Sequence, residues 1–141
     1  MSGCANMKIA FDTNIVLDVL ARREPFFERS QAVVRLVSEG RAQGAVTANA
    51  MTDMYYILRK HLDKEPLKAA LRGVMELLEV MEVTGDDCLA ALDLPMDDYE
   101  DALLACCAGN WGADCIVTRN TKDFARSPVK AMTPDDFLKN I

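Results

Sequence analysis

The sequence predicts a three-layer α/β/α domain built on a central, mainly parallel sheet. Two observations predict it. Short apolar runs such as Lys8–Phe11 and Cys115–Val117 have the length of buried strands. Between them lie segments whose apolar residues recur at helical spacing. Strands that alternate with helices, and that are apolar on both faces, belong in a parallel sheet covered on each side. Half of the 141 residues are hydrophobic, so the composition is globular and one domain has room for a core.

Each element has its own signal. Lys8–Phe11 reads as the first strand, and residues 14–20 as a short helix that Arg22, Arg23, Glu24 and Pro25 interrupt. Phe26, Ser30, Val33, Val34 and Val37 keep helical spacing, so a second helix runs to about Glu39 and stops at Gly40. Residues 44–47 form a second strand. A helix starts near Asn49, with Met51, Met54, Tyr55, Leu58 and Leu62 as its buried face. Pro66 suits the start of the next helix, whose stripe is Leu67, Ala70, Leu71, Val74 and Leu78. Residues 81–83 read as a third strand and 86–92 as a short helix closed by Leu94 and Pro95. Asp97, Asp98, Glu100 and Asp101 head a strong helix over 99–110, where acids complement the helix dipole. Strands at 115–118 and 129–132 follow, and Thr133 caps a final helix. The expected domain is 7–141. Residues 1–6 read as a short lead, with Met7 as the expected natural start.

The acids are the informative residues. The first strand runs straight into Asp12, Thr13 and Asn14, and the fourth into Thr118, Arg119, Asn120, Thr121, Lys122 and Asp123. In a parallel sheet both strand ends point to one edge, where open α/β sheets place their ligands. Asp53 and Asp101, near helix starts, are placed to join them. Each acid has a structural alternative. Asp12 caps a helix, Asp53 meets a helix dipole, and Asn120 and Asp123 fit a turn. Asp97 and Asp101, four apart, are expected to share a helix face and repel. Four acids at one sheet edge are more specific than any one of them. Without basic neighbours they repel unless a divalent cation sits among them, and hard oxygen ligands select Mg²⁺ or Mn²⁺. Asp18 reads as a solvated helix residue.

Other chemistries find little support. The single histidine, His61, lies at a helix end beside Lys60 and reads as a surface residue. No glycine-rich phosphate loop or nucleophile elbow is present. Five cysteines at spacings that match no zinc pattern read as small hydrophobes in a reducing cytoplasm. No apolar run is long enough to cross a bilayer, and the N-terminus lacks the features of a signal peptide. The net charge of −6 disfavours nucleic acid taken alone, but a bound cation reverses the local field of an acidic nuclease site. For such a nuclease site Arg22, Arg23, Arg59, Lys60, Arg119 and Lys122 are the candidates to hold a nucleic-acid backbone, each with solvated surface charge as its alternative.

Four segments in order resemble the PIN-domain proteins, in particular the VapC-like toxin ribonucleases. They are residues 11–18 (FDTNIVLD), 48–60 (ANAMTDMYYILRK), 98–103 (DYEDAL) and 118–124 (TRNTKDF). The resemblance implies a Mg²⁺- or Mn²⁺-dependent endoribonuclease, with Asp12, Asp53, Asp101 and Asp123 as metal ligands and catalytic acids. It gives Asn14, Thr118 and Asn120 supporting polar roles, and it implies an antitoxin partner and a homodimer. Two positions depart from the pattern. Asp53 stands where many relatives have Glu, so its shorter arm favours contact through water. Asn120 stands where some have Asp, which leaves Asp123 to carry that role. The alternative is a non-catalytic PIN-like or receiver-like module that binds another protein. A receiver wants an acid pair after the first strand and an Asp after the third; here the third is followed by Thr84, Gly85, Asp86 and Asp87.

Overall fold

Five strands form one sheet: β1 (Lys8–Phe11), β2 (Gln43–Thr47), β3 (Glu79–Met81), β4 (Cys115–Val117) and β5 (Ala131–Met132). The structure is a computed structural model that describes residues 7–141; the lead 1–6, with Cys4, lies outside the described residues. The strand order is β3-β2-β1-β4-β5, and all four pairings are parallel. The helices are α1 (Thr13–Leu20), α2 (Phe27–Ser38), α3 (Ala48–Leu58), α4 (Lys64–Leu77), α5 (Gly85–Leu92), α6 (Tyr99–Trp111) and α7 (Pro134–Lys139), with a 3-10 turn at Thr121–Phe124.

The path of the chain positions the site. It moves outward from β1 through β2 to β3, then returns through α5 and α6 to the other side of β1 for β4 and β5. The direction of winding therefore reverses between β1 and β4. At such a reversal the loops after the two strands lead to opposite faces and leave a crevice at the carboxyl edge.

Alternation along β1 builds two cores. Ile9 and Phe11 face a cluster with Ile15, Leu17, Val33, Met54, Leu58, Leu67 and Phe137, drawn from α1 to α4 and α7. Ala10 faces the other way, with Ala45, Met81 and Ile116, toward Ala102, Ala105 and Ala108 of α6. Small residues on both sides of that second interface let α6 lie close to the sheet. Among the described residues, no helix is long and apolar enough to cross a membrane.

The structure differs locally from the expected elements, and the fifth strand is Ala131–Met132 within the expected 129–132. The third strand is Glu79–Met81 and not 81–83. Its partner β2 ends at Thr47, opposite Met81, where the chain turns into α3, so Glu82 and Val83 have no strand to pair with. Helix α3 ends at Leu58, so Leu62 packs against the core from beyond the helix. Tyr55, expected on the buried face, is 38% exposed. The remaining elements match their expected type, and Thr133 caps α7 by accepting a hydrogen bond from the Asp136 N–H at 3.1 Å.

Gly44 in β2 is a close approach. A Cβ there would lie 2.8 Å from Leu78 Cδ2 and from Phe11 Cε2, and 3.0 Å from Val37 Cγ2. Phe11 is buried in the core and has no room to yield. Gly44→Ala is therefore expected to destabilise the fold by about 1–3 kcal/mol, the usual cost of overpacking a filled core. Urea unfolding of the two proteins measures it.

Candidate active site

Asp12 is the first residue past β1 and the N-cap of α1. Its N–H continues the sheet ladder to the Val117 carbonyl at 3.0 Å. Its carboxylate accepts a 2.7 Å hydrogen bond from Thr118 Oγ1 and a long one, 3.4 Å, from the Asn14 N–H. Thr118 is fully buried, and its hydroxyl oxygen also accepts from the Asn120 N–H at 3.1 Å. One hydroxyl thus joins the ends of β1 and β4 and shapes the loop that carries Asn120 and Asp123.

Asp12, Asp53, Asp101 and Asp123 line one cleft of about 450 Å³ at this edge, together with Asn14, Asn120, Tyr56, Asp98 and Glu100. None of the residues lining it is basic. Asp53 lies in the second turn of α3, which has no acid in its first turn, so dipole stabilisation does not account for it. Asp98 caps α6 by accepting from the Asp101 N–H at 2.9 Å. Asp97 precedes that cap and lies outside the helix, so the expected Asp97–Asp101 helix-face pair does not form.

Crowding leaves its mark on two of these acids. Burial, followed by the charges of Asp98, Asp12 and Asp123, pushes the Asp101 carboxyl up to about 7. A hydrogen bond to Asp53, followed by desolvation and the charges of Asp53, Asp98 and Asp101, pushes Glu100 up to about 7. At neutral pH the cleft therefore binds protons in place of missing positive charge. Glu100 and Asp98 were not singled out from the sequence. The signal was there: four acids within five residues exceed what one helix start needs. Among the described residues, no group of three or more His, Cys, Asp or Glu side chains is arranged to hold a metal ion as they stand. Mg²⁺ needs only one or two carboxylates plus water.

Asp18 is the clearest correction. It is fully buried, not solvated. Arg119 grips it with Nε at 2.9 Å and Nη2 at 3.2 Å, Ser30 Oγ donates at 3.1 Å, and Arg23 Nη1 lies 3.7 Å away. The Arg119 guanidinium also lies 3.8 Å from the centroid of the Phe26 ring. Arg23 donates to Asn14 Oδ1 at 3.1 Å. Two of the six cations singled out from the sequence, Arg119 and Arg23, are thus occupied by side chains of the protein itself. Arg22, Arg59, Lys60 and Lys122 are exposed. Lys122 and Arg126 line a second hollow that shares Asp98 and Asp123 with the cleft.

The remaining candidates fall away from this edge. His61 is exposed, beyond the end of α3. Asp87, the receiver-like candidate after the third strand, is spent on a capping box with Thr84 and accepts from Asn110 Nδ2 at 2.7 Å. Cys107 and Cys115 are buried, and burial pushes their thiols up to about 12 and about 11, so both are inert packing groups.

Comparison with known proteins fits this geometry. A sequence model described as "PIN domain" matches residues 8–122. The chain belongs to the PIN domain family. This PIN domain is similar to Ribonuclease VapC1 of Aquifex aeolicus (strain VF5), with 23% identity over 137 residues and 94% of each chain covered. Its fold resembles that of a toxin–antitoxin complex from Klebsiella pneumoniae, with TM-score 0.68, 20% identity, and 89% and 97% of the two chains covered. It also resembles Mycobacterium tuberculosis VapC20, described as a sarcin–ricin loop cleaving toxin, with TM-score 0.59, 14% identity, and 77% and 86% covered.

Two measurements probe the site's electrostatics. Asp101 ionises near 7 in the fold but near its ordinary value of 3.8 when unfolded. Between those values the folded protein holds a proton that the unfolded chain has lost, so this residue's contribution falls as pH rises and levels off above about 7. Asp101→Asn is expected to gain stability over the parent, and to gain more at pH 8 than at pH 4.5, in urea titrations of the two proteins. Removal of Arg119 leaves the Asp18 charge buried with Ser30 and the more distant Arg23. Arg119→Ala is expected to cost about 3 kcal/mol, the low end for breaking a buried pair. The exposed Arg22→Ala is expected to stay within about 0.5 kcal/mol in the same assay.

Proposed function

We propose that this PIN domain is a Mg²⁺- or Mn²⁺-dependent endoribonuclease and the toxin of a toxin–antitoxin pair. The observation that carries the reading is the cleft itself: Asp12, Asp53, Asp98, Glu100, Asp101 and Asp123 around one crevice with no basic residue in its lining. The similarity to a protein named as a ribonuclease, and to the fold of a toxin–antitoxin complex, supports the substrate class and the partner.

The donor set fits the cation. The polar side chains lining the cleft offer carboxylate, amide and hydroxyl oxygens, with no thiol or imidazole, as hard divalent ions prefer. Asp12, Asp101 and Asp123 would hold it, with Asp53 reaching it through water. When bound, such an ion supplies hydroxide near neutral pH and neutralises the charge that builds on a phosphodiester. The protein's own contribution is positional. Thr118 fixes the Asp12 carboxylate by a direct hydrogen bond, and Asn14 and Asn120 stand beside it as neutral polar groups. Lys122 and Arg126, at the hollow that shares Asp98 and Asp123, are placed to take the backbone past the acids. The antitoxin in this reading carries a basic side chain into the cleft and answers its uncompensated charge. A homodimer and a cytoplasmic location belong to the same reading.

A cleavage assay on structured RNA tests it. Activity is expected with Mg²⁺ or Mn²⁺ and none with EDTA. Asp12→Asn is expected to lose activity by orders of magnitude while staying folded, and His61→Ala to keep it, because no histidine base is needed. Millimolar Mn²⁺ is expected to raise the melting temperature of the parent by mass action, and more than a matched monovalent salt does. Activity that survives EDTA or Asp12→Asn overturns the proposal.

A further inference from the structure

Tyr56 stands apart from the other aromatic residues. It lines the carboxylate cleft, yet it is 58% exposed, the most open aromatic side chain among the described residues. It follows Asp53 by three residues on α3, so the two project on one side of that helix. The Arg59 guanidinium lies 4.2 Å from the ring centroid, and the Lys60 ammonium 5.9 Å. Arg59 is held there by an Nε hydrogen bond to the Tyr56 carbonyl at 3.1 Å. The lip of an acidic crevice thus carries one exposed aromatic ring, with the Arg59 guanidinium over it and the Lys60 ammonium farther off, which leaves the opposite face to a base.

We propose that Tyr56 is a stacking platform for an unpaired RNA base, with Arg59 and Lys60 on the phosphates that flank that base. The proposal rests on the ribonuclease reading and gives this residue a base-binding role within it. Three physical arguments carry it. The cleft acids repel a polyanion, so the backbone needs positive charge at the rim, and Arg59 and Lys60 supply it beside the ring. Every base presents a π-face, so an exposed aromatic binds bases whatever the sequence. In an A-form duplex those faces are stacked inside the helix and out of reach, whereas loops and bulges can splay a base outward. Tyr56 has little packing to lose, so the ring does not earn its place as core.

Binding, not cleavage, tests the site, so its failure is separable from failure of the nuclease reading. Anisotropy of a fluorescein-labelled RNA is measured in the Asp12→Asn background, with intactness of the RNA checked on a gel. Two probes are used, a ten-nucleotide single strand and a blunt duplex of the same sequence. Tyr56→Ala is expected to weaken single-strand binding roughly 5- to 100-fold, the range for loss of one stacked base. Tyr56→Phe keeps the ring and is expected to bind within about twofold of the background protein. Duplex binding is expected not to respond to either change. Equal affinity of Tyr56→Ala and Tyr56→Phe for the single strand overturns the platform. So does a matching loss on the duplex, which would assign the effect to charge or fold. Cleavage by the parent protein, with binding indifferent to Tyr56, overturns this inference alone. Absence of both binding and cleavage overturns it together with the ribonuclease reading beneath it.

Discussion

Strand β1 pairs with β4 residue for residue, Ile9 with Cys115 and Phe11 with Val117, and the pairing runs one residue past the strand, where the Asp12 N–H meets the Val117 carbonyl. The position of every other cleft residue is measured from that seam. A slip of one residue would turn Ile9 and Phe11 from one core to the other and carry Asp12 away from Thr118. The two cores differ enough to forbid it. The face under α6 sets Ala10 and Ala45 of the sheet against Ala102, Ala105 and Ala108 of the helix, where Ile9 and Phe11 would overpack the contact. Packing thus sets the register, and the register sets where the first carboxylate stands.

Carboxylates are treated in two opposite ways within a few residues of each other. Asp18 has no contact with water and is met by charged and hydroxyl donors, so its burial is compensated. The cleft acids are left without a cation, partly open to water, and two of them keep protons to neutral pH. Both arrangements hang on the same short segment. Thr118 bonds to Asp12, Arg119 turns to Asp18, and Asn120 returns to the cleft. The chain has left β4 and bends at Arg119, which lets the three side chains diverge. The compensated acid therefore anchors the loop that presents an uncompensated one.

The sequence made the sheet, its parallel sense and the acid edge legible because these depend on patterns a few residues long. Asp12, Asp53, Asp101 and Asp123 could be placed together because each follows a strand or lies in the first two turns of a helix whose direction is set by the sheet. The losses came where a residue's fate depends on a distant partner. Asp18 looks like any acid on a short helix until Arg119, over a hundred positions away, folds onto it. The end of β3 depends on where β2 turns away, and Glu82 and Val83 carry no mark of that. Glu100 belongs to a run of four acids that exceeds what one helix start needs, but the run does not say which of them meets the other acids. Only the approach of Asp53, from a different helix, separates it from them.

The bond from Thr118 to Asp12 spans 106 positions of the chain. Asp12 leaves the ribosome well before the residues that complete the crevice. At roughly 5–20 residues per second, the interval from Asp12 to Asp123 lasts about 5–20 s. Over that time β1 lacks its β4 neighbour, and the first carboxylate has neither its hydroxyl partner nor its companion acids. A growing chain therefore carries no assembled crevice beside the RNA of the machine that is making it. Whatever chemistry the crevice performs begins only once the last loop has closed over the sheet.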